Sequence, residues 1–189
     1  MSERFQFNET RLDGLYTITR KPITDERGCF TRLFCENEFL EAGLAVKKII
    51  QINHTKTINK HTVRGLHFQY PPHSETKIVS CVSGEILDVA VDLRIGSKTY
   101  LKWHGEILSD KNNTSLYIPD GFAHGFQTLT DNCELMYFHT SAYESSSEGI
   151  INACDPLIGI EWPEEITGIS DRDKKAQKID GEFEGIMLL

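Results

Sequence analysis

Short strand-like runs separated by turn residues recur at close, even spacing through the middle of the chain, and this constrains the fold more than any other feature. Thr76–Val82 is followed by Ser83-Gly84, then Ile86–Leu93, then Ile95-Gly96-Ser97, then Tyr100–Leu108. Ser115–Ile118, Gly125–Leu129 and Glu134–Thr140 continue the series. Such a pattern reads as an antiparallel sandwich or barrel. Helix signals are few: Asn37–Ala42 predicts one short helix, and Ser170–Lys178 another with a Ser-x-x-Asp start. No repeat, linker or low-complexity stretch divides the chain. One all-β domain over residues 1–189 is therefore expected, closed or nearly closed, with short helices at its margins.

Alternation within strands says which side chains share a face, because residues two apart point the same way. Leu87, Val89, Val91 and Leu93 share one face of their strand; Asp88, Ala90 and Asp92 share the other. Leu135, Tyr137 and His139 fall together, as do Lys77, Val79 and Cys81, and as do His67 and Gln69. Many positions that should line a barrel are thus polar or ionisable. A barrel with that interior holds a ligand cavity rather than a plain core.

The net charge of −8 argues against a nucleic-acid or membrane-surface partner. An anionic ligand then requires a few arginines and lysines to converge locally. Five scattered cysteines without a CxxC pair read as reduced thiols. The start Met1-Ser2-Glu3-Arg4-Phe5 lacks a basic segment followed by an apolar run, and no stretch is long enough to span a membrane. A soluble cytoplasmic protein is expected.

Two clusters carry candidate chemistry. In Arg64-Gly65-Leu66-His67-Phe68-Gln69, an isolated histidine between apolar residues would ordinarily be a satisfied core side chain. The nearby Arg64 and Lys77 shift the reading of His67 towards proton transfer, for which an imidazole suits neutral pH. Strand parity, however, places Arg64 and His67 on opposite faces unless the backbone is irregular at Gly65. The second cluster, Pro119-Asp120-Gly121-Phe122-Ala123-His124, matches the second half-motif of cupin barrels, Pro-x-Gly-x-x-His. Metal-binding cupins supply His-x-His in their first half-motif; here the region reads His67-Phe68-Gln69. His73 and Glu75 lie in a Pro-Pro loop and make no clean ligand set, so no metal is expected.

Asp25-Glu26-Arg27-Gly28, Gln51-Ile52-Asn53-His54, Arg64–Gln69, Asp88–Arg94 and Ile118–Phe126 occur in order. Ser147-Glu148-Gly149, Gly159-Ile160-Glu161-Trp162-Pro163 and Ser170-Asp171-Arg172-Asp173 follow. From about Leu12 to Asp173 this series resembles the dTDP-4-dehydrorhamnose 3,5-epimerase family, the RmlC-type cupins. The resemblance implies a homodimeric, metal-free and cofactor-independent jelly-roll barrel that epimerises a nucleoside-diphosphate 4-keto-6-deoxy sugar. It implies His67 as catalytic base, Asp173 as the carboxylate orienting it, Tyr137 as acid on the opposite face, and Lys77 as the enolate-stabilising cation. It implies Arg64 at the diphosphate, and Asp25, Arg27, Gln51, Asn53, His124, Tyr143 and Glu148 lining or supporting the site. His54, His61, His73, His104 and His139 are read as structural or surface residues.

The chemistry fits those roles. A proton beside a ketone becomes accessible to an imidazole only when the enolate oxygen meets a fixed cation or donor. Inversion also needs a second group on the opposite face.

Cys29 after Arg-Gly, Phe138-His139 after Tyr137, and the loop Pro71–Thr76 depart from the family pattern. They leave the nucleotide base, the sugar and the number of inverted carbons open, so a GDP- or CDP-linked hexose or heptose stays in view. A related cupin keto-isomerase is the nearest competing reading. A non-catalytic sugar-nucleotide sensor would be expected to lack His67, Tyr137 or Asp173, and a metal-dependent oxygenase would need the absent His-x-His.

Overall fold

The computed structural model describes residues 4–44, 46, 48–180 and 183–188; the first three residues of the start read above lie outside the described residues. β1 (Phe5–Glu9), β2 (Tyr16–Arg20), β3 (Ile23–Asp25) and β4 (Gly28–Phe30) lead to helix α1 (Glu36–Glu41). Then come β5 (Gln51–Thr57), β6 (Thr62–Gln69), β7 (Lys77–Ser83), β8 (Glu85–Asp92) and β9 (Trp103–Ser109). β10 (Thr114–Ile118), β11 (Phe122–Thr128) and β12 (Cys133–His139) complete the repeating series. A 3₁₀ turn at Ser145–Ser147 leads to β13 (Glu148–Ile150), β14 (Gly168–Ile169) and helix α2 (Asp171–Lys174).

The strands form two facing sheets, the jelly roll of the cupins. One sheet runs β1-β2-β10-β7-β12-β5; the other runs β13-β6-β11-β8-β9, with β14 also paired to β6. β3 and β4 make a separate hairpin. Between the sheets lie Val79 and Cys81 of β7, Ile86 and Ala90 of β8, Leu116 and Ile118 of β10, Phe122 and Phe126 of β11, and Leu135 of β12. β8 therefore turns its Asp88, Ala90 and Asp92 face inward, as its alternation allows. Its other face is not solvated: Val89, Val91 and Leu93 are covered by Ile151, Ile158 and Ile186 from the segment that follows β13. Burial on both faces fits a strand that carries apolar residues on each, with Asp88 and Asp92 the polar exceptions on the inner one.

Gly65 resolves the parity conflict between Arg64 and His67. His124 pairs with His67, and Phe126 pairs with Arg64, so three steps along β6 match two along β11. The extra residue is a bulge, which brings both side chains to one face. Gly65 adopts φ 116°, and a Cβ there would lie 2.6 Å from the Gly125 Cα. Glycine meets both demands.

Three predicted boundaries move. The strand expected from Tyr100 begins at Trp103, because Ser97–Lys102 coils through turn hydrogen bonds with Leu101 at φ 58°. The helix expected over Ser170–Lys178 is one turn. Asn152 takes the carbonyls of Lys174 and Ala176 through its Nδ2, and that of Gln177 through its backbone N–H. The helix expected over Asn37–Ala42 occupies Glu36–Glu41 and stops at Gly43, with φ 79°.

Candidate active site

β6, β7, β11, β12 and β5 converge at one end of the barrel around a cavity of about 190 Å³. Into it project Arg64 and His67 from β6, Lys77 from β7, and His124 from β11. Tyr137 and His139 come from β12, and Asn53 and Thr55 from β5. Six of the predicted site residues thus meet in one place.

His67 is held from outside the barrel. Ser170 caps α2 by accepting from the Asp173 N–H at 3.1 Å, and this turn aims the Asp173 carboxylate at β6. Asp173 Oδ1 lies 2.7 Å from His67 Nε2, and Oδ2 accepts from the Gly65 N–H at 3.3 Å. Burial pushes the Asp173 carboxyl up, but the hydrogen bond and charge of His67 and the Gly65 N–H outweigh it and hold it below the usual carboxylate range. An ionised Asp173 fixes the proton of His67 on Nε2, leaving Nδ1 to accept one. Asp173 thus sits in the capped first turn of α2 and meets His67 in one arrangement. Arg172 Nη2 lies 3.2 Å from the same Nε2. In this tautomer both atoms are donors, so Arg172 is anchored instead by Glu148, at 3.0 Å.

Tyr137 stands on the facing sheet, edge-on to His124 at 6.0 Å between centroids. Burial pushes its phenol up strongly, and the nearby Asp88 adds to this. Thr55 and the Arg64 charge pull it back only in part. The phenol is therefore protonated at neutral pH and able to donate. Lys77, nearly buried, is paired with Glu75 at 3.1 Å. His124 Nε2 and Asp88 Oδ1 are 2.7 Å apart. Burial pushes the Asp88 carboxyl up, against the opposing influence of His124 and Lys77.

Gln51, Tyr143 and Glu148 do not line the cavity but connect to its residues through hydrogen bonds. Gln51 accepts from the Tyr143 N–H at 3.1 Å and donates to Asn53 Oδ1 at 3.2 Å; the Tyr143 hydroxyl donates to Glu148 at 3.2 Å. Asp25 and Arg27 are not brought to the cavity of this chain. They lie on the exposed β3–β4 hairpin, paired with each other at 2.6 Å.

Sequence reasoning missed four contributors. Asp88 faces inward on β8 and was visible in the alternation. Thr55 follows Asn53 by two residues and so shares its face. Glu75 is not a loop bystander but a half-buried partner of Lys77 and His139. His139, expected to be structural or superficial, lines the cavity, as its shared face with Tyr137 allowed. Among the described residues, no three His, Cys, Asp or Glu side chains gather as a metal-binding group. No helix among them is long and apolar enough to cross a membrane.

Residues 9–181 match the family model described as dTDP-4-dehydrorhamnose 3,5-epimerase. A protein of that name from Methanothermobacter thermautotrophicus is 43% identical over 90% of this chain and 92% of its own length. Another from Shigella flexneri is 40% identical over 93% of this chain and 97% of its own. The solved structure of a Legionella pneumophila dTDP-6-deoxy-D-glucose-3,5-epimerase, in complex with dTDP-4-keto-L-rhamnose, superposes with a TM-score of 0.90. It is 35% identical, covering 98% of this chain and 99% of that one. On a likeness that runs nearly end to end in both sequence and fold, the chain belongs to the dTDP-4-dehydrorhamnose 3,5-epimerase family.

Proposed function

We propose that the protein epimerises C3 and C5 of a dTDP-linked 4-keto-6-deoxyhexose through an enolate made and quenched on opposite faces of the ring. The observation that carries this reading is a carboxylate-oriented imidazole and a protonated phenol lining one small cavity with a buried lysine. Both carbons neighbour the C4 ketone, and in a D-gluco ring their hydrogens point to the same face, so one base serves both. His67 Nδ1 takes the proton while the C–H electrons move onto O4. The Lys77 ammonium is the group suited to meet that charge. Tyr137 then gives its proton to the carbon from the other side, leaving a phenolate near Arg64. Solvent returns a proton to Tyr137 and removes one from the imidazolium, restoring both groups before the second carbon reacts. Incubation with dTDP-4-keto-6-deoxyglucose, followed by NMR of the product, should show inversion at C3 and C5. An unchanged sugar would count against the reading.

With the chain at −8 overall, diphosphate binding rests on local cations, and Arg64 at the cavity is the main one. A charge-assisted contact contributes about 1.5–3 kcal/mol. Arg64→Ala should therefore raise KM about 10- to 150-fold and weaken dTDP binding in parallel. Unchanged dTDP affinity in calorimetry would remove Arg64 from this role.

A homodimer completes the proposal. β5 is a sheet edge bearing the exposed Ile52, and the β3–β4 hairpin exposes Ile23 and Phe30. A second copy would cover these surfaces, and the hairpin would carry Asp25 and Arg27 towards the neighbour's cavity. Light scattering at micromolar concentration should give twice the chain mass; a fully active monomer would contradict it. The five unpaired thiols fit a cytoplasmic location.

A further inference from the structure

Glu75, half-buried with its side chain 9% exposed, and the buried His139 are ionisable residues that the mechanism above does not use, and both sit beside groups that it does. His139 lines the cavity and lies nearly parallel to Tyr137, with centroids 6.0 Å apart and planes at 21°. Its Nδ1 is 2.8 Å from Glu75 Oε2, and its Nε2 is 3.3 Å from Asn53 Nδ2. The other Glu75 oxygen holds Lys77 at 3.1 Å.

These contacts define the state of the pair. Burial pushes the Glu75 carboxyl up, but His139 and Lys77 outweigh it and keep it below its ordinary value. An ionised Glu75 accepts from His139 Nδ1, so Nε2 is the lone-pair nitrogen that accepts from Asn53. The imidazole is thereby pinned at both nitrogens, and its flat face rests against the phenol of Tyr137. A ring held at two points cannot swing aside. It leaves Tyr137 fewer orientations than a mobile or smaller neighbour would.

We propose that His139, tethered by Glu75, is a positioning residue that fixes the Tyr137 phenol on the protonating side of the sugar. It thereby sets how often an enolate is inverted rather than returned to its starting configuration. This rests on the reading of Tyr137 as the acid. Inversion and solvent exchange start from the same enolate. A change that only alters Lys77 moves both rates together, whereas a change in the placement of Tyr137 moves their ratio.

The test measures exchange of the C3 and C5 protons with deuterated solvent, and inversion at the same carbons, by NMR in one reaction. Wild type, His139→Ala, Glu75→Ala and Tyr137→Phe are compared, with dTDP binding confirming a folded site. The ratio of exchange to inversion should rise about fivefold or more in His139→Ala, the effect of losing one buried hydrogen-bonded tether. Its KM should change little. Glu75→Ala removes the tether while keeping the ring, and should move the ratio the same way; it decides the matter if His139→Ala does not fold. If Tyr137→Phe raises the ratio while both other variants keep the wild-type value, the positioning role is overturned and the acid stands. If Tyr137→Phe itself leaves the ratio unchanged, the assignment of the acid fails and this inference falls with it.

Discussion

His67→Asn should abolish both inversion and exchange of the sugar's C3 and C5 protons with solvent, lowering turnover about a thousandfold or more. Asp173 keeps the Gly65 N–H and Ser170 keeps its cap, so the α2 turn stays in place although asparagine ends short of the Nε2 position. What it lacks is a basic nitrogen. The substrate should therefore still bind, and dTDP affinity should match wild type, while the α-protons stay in place. Loss of activity alone would not separate this from misfolding; unimpaired nucleotide binding with no deuterium uptake would. Full exchange in the variant would place the base elsewhere.

Asp173→Asn should lower kcat by about a thousandfold or more, by analogy with the loss seen when the carboxylate of a Ser-His-Asp triad becomes an amide. The reason lies in the tautomer. The Gly65 N–H donates to one oxygen of Asp173, which leaves the other facing His67 Nε2 at 2.7 Å. An amide bound to Gly65 through its oxygen presents its NH₂ group to the ring. The imidazole then accepts at Nε2 and carries its proton on Nδ1, the nitrogen needed as base. The imidazolium formed by any residual reaction also loses its counter-charge. Product stereochemistry should be unchanged, because the acid face is untouched. A loss below about tenfold in steady-state kinetics would make Asp173 a helix residue only, which is far less than a wrong tautomer costs.

The fold class was legible because period-2 alternation and turn residues are local signals. β7, β8, β10, β11 and β12 fall within a few residues of their predicted positions. His67, Lys77, His124 and Tyr137 were legible as inward-facing by parity or motif, and the family resemblance supplied their roles. Arg64 was placed by resemblance against the parity rule; the bulge at Gly65 that reconciles them is a property of strand pairing. The end of α2 escaped because Asn152, about twenty residues earlier, claims its carbonyls. Glu75 and His139 escaped for a similar reason. Each looks unremarkable in its own segment, and their 2.8 Å contact exists only once β7 lies beside β12.

The account turns on two groups acting from opposite faces of one enolate, and Tyr137→Phe in deuterated solvent tests that most directly. The variant keeps the ring that packs against the barrel core and loses only the proton it would donate. His67 should still remove the C5 proton, exchange it with solvent, and return deuterium to the original face. NMR should therefore show deuterium entering the starting sugar without inversion, while inverted product falls sharply. Inversion at the wild-type rate, with exchange and inversion still in step, would contradict the account.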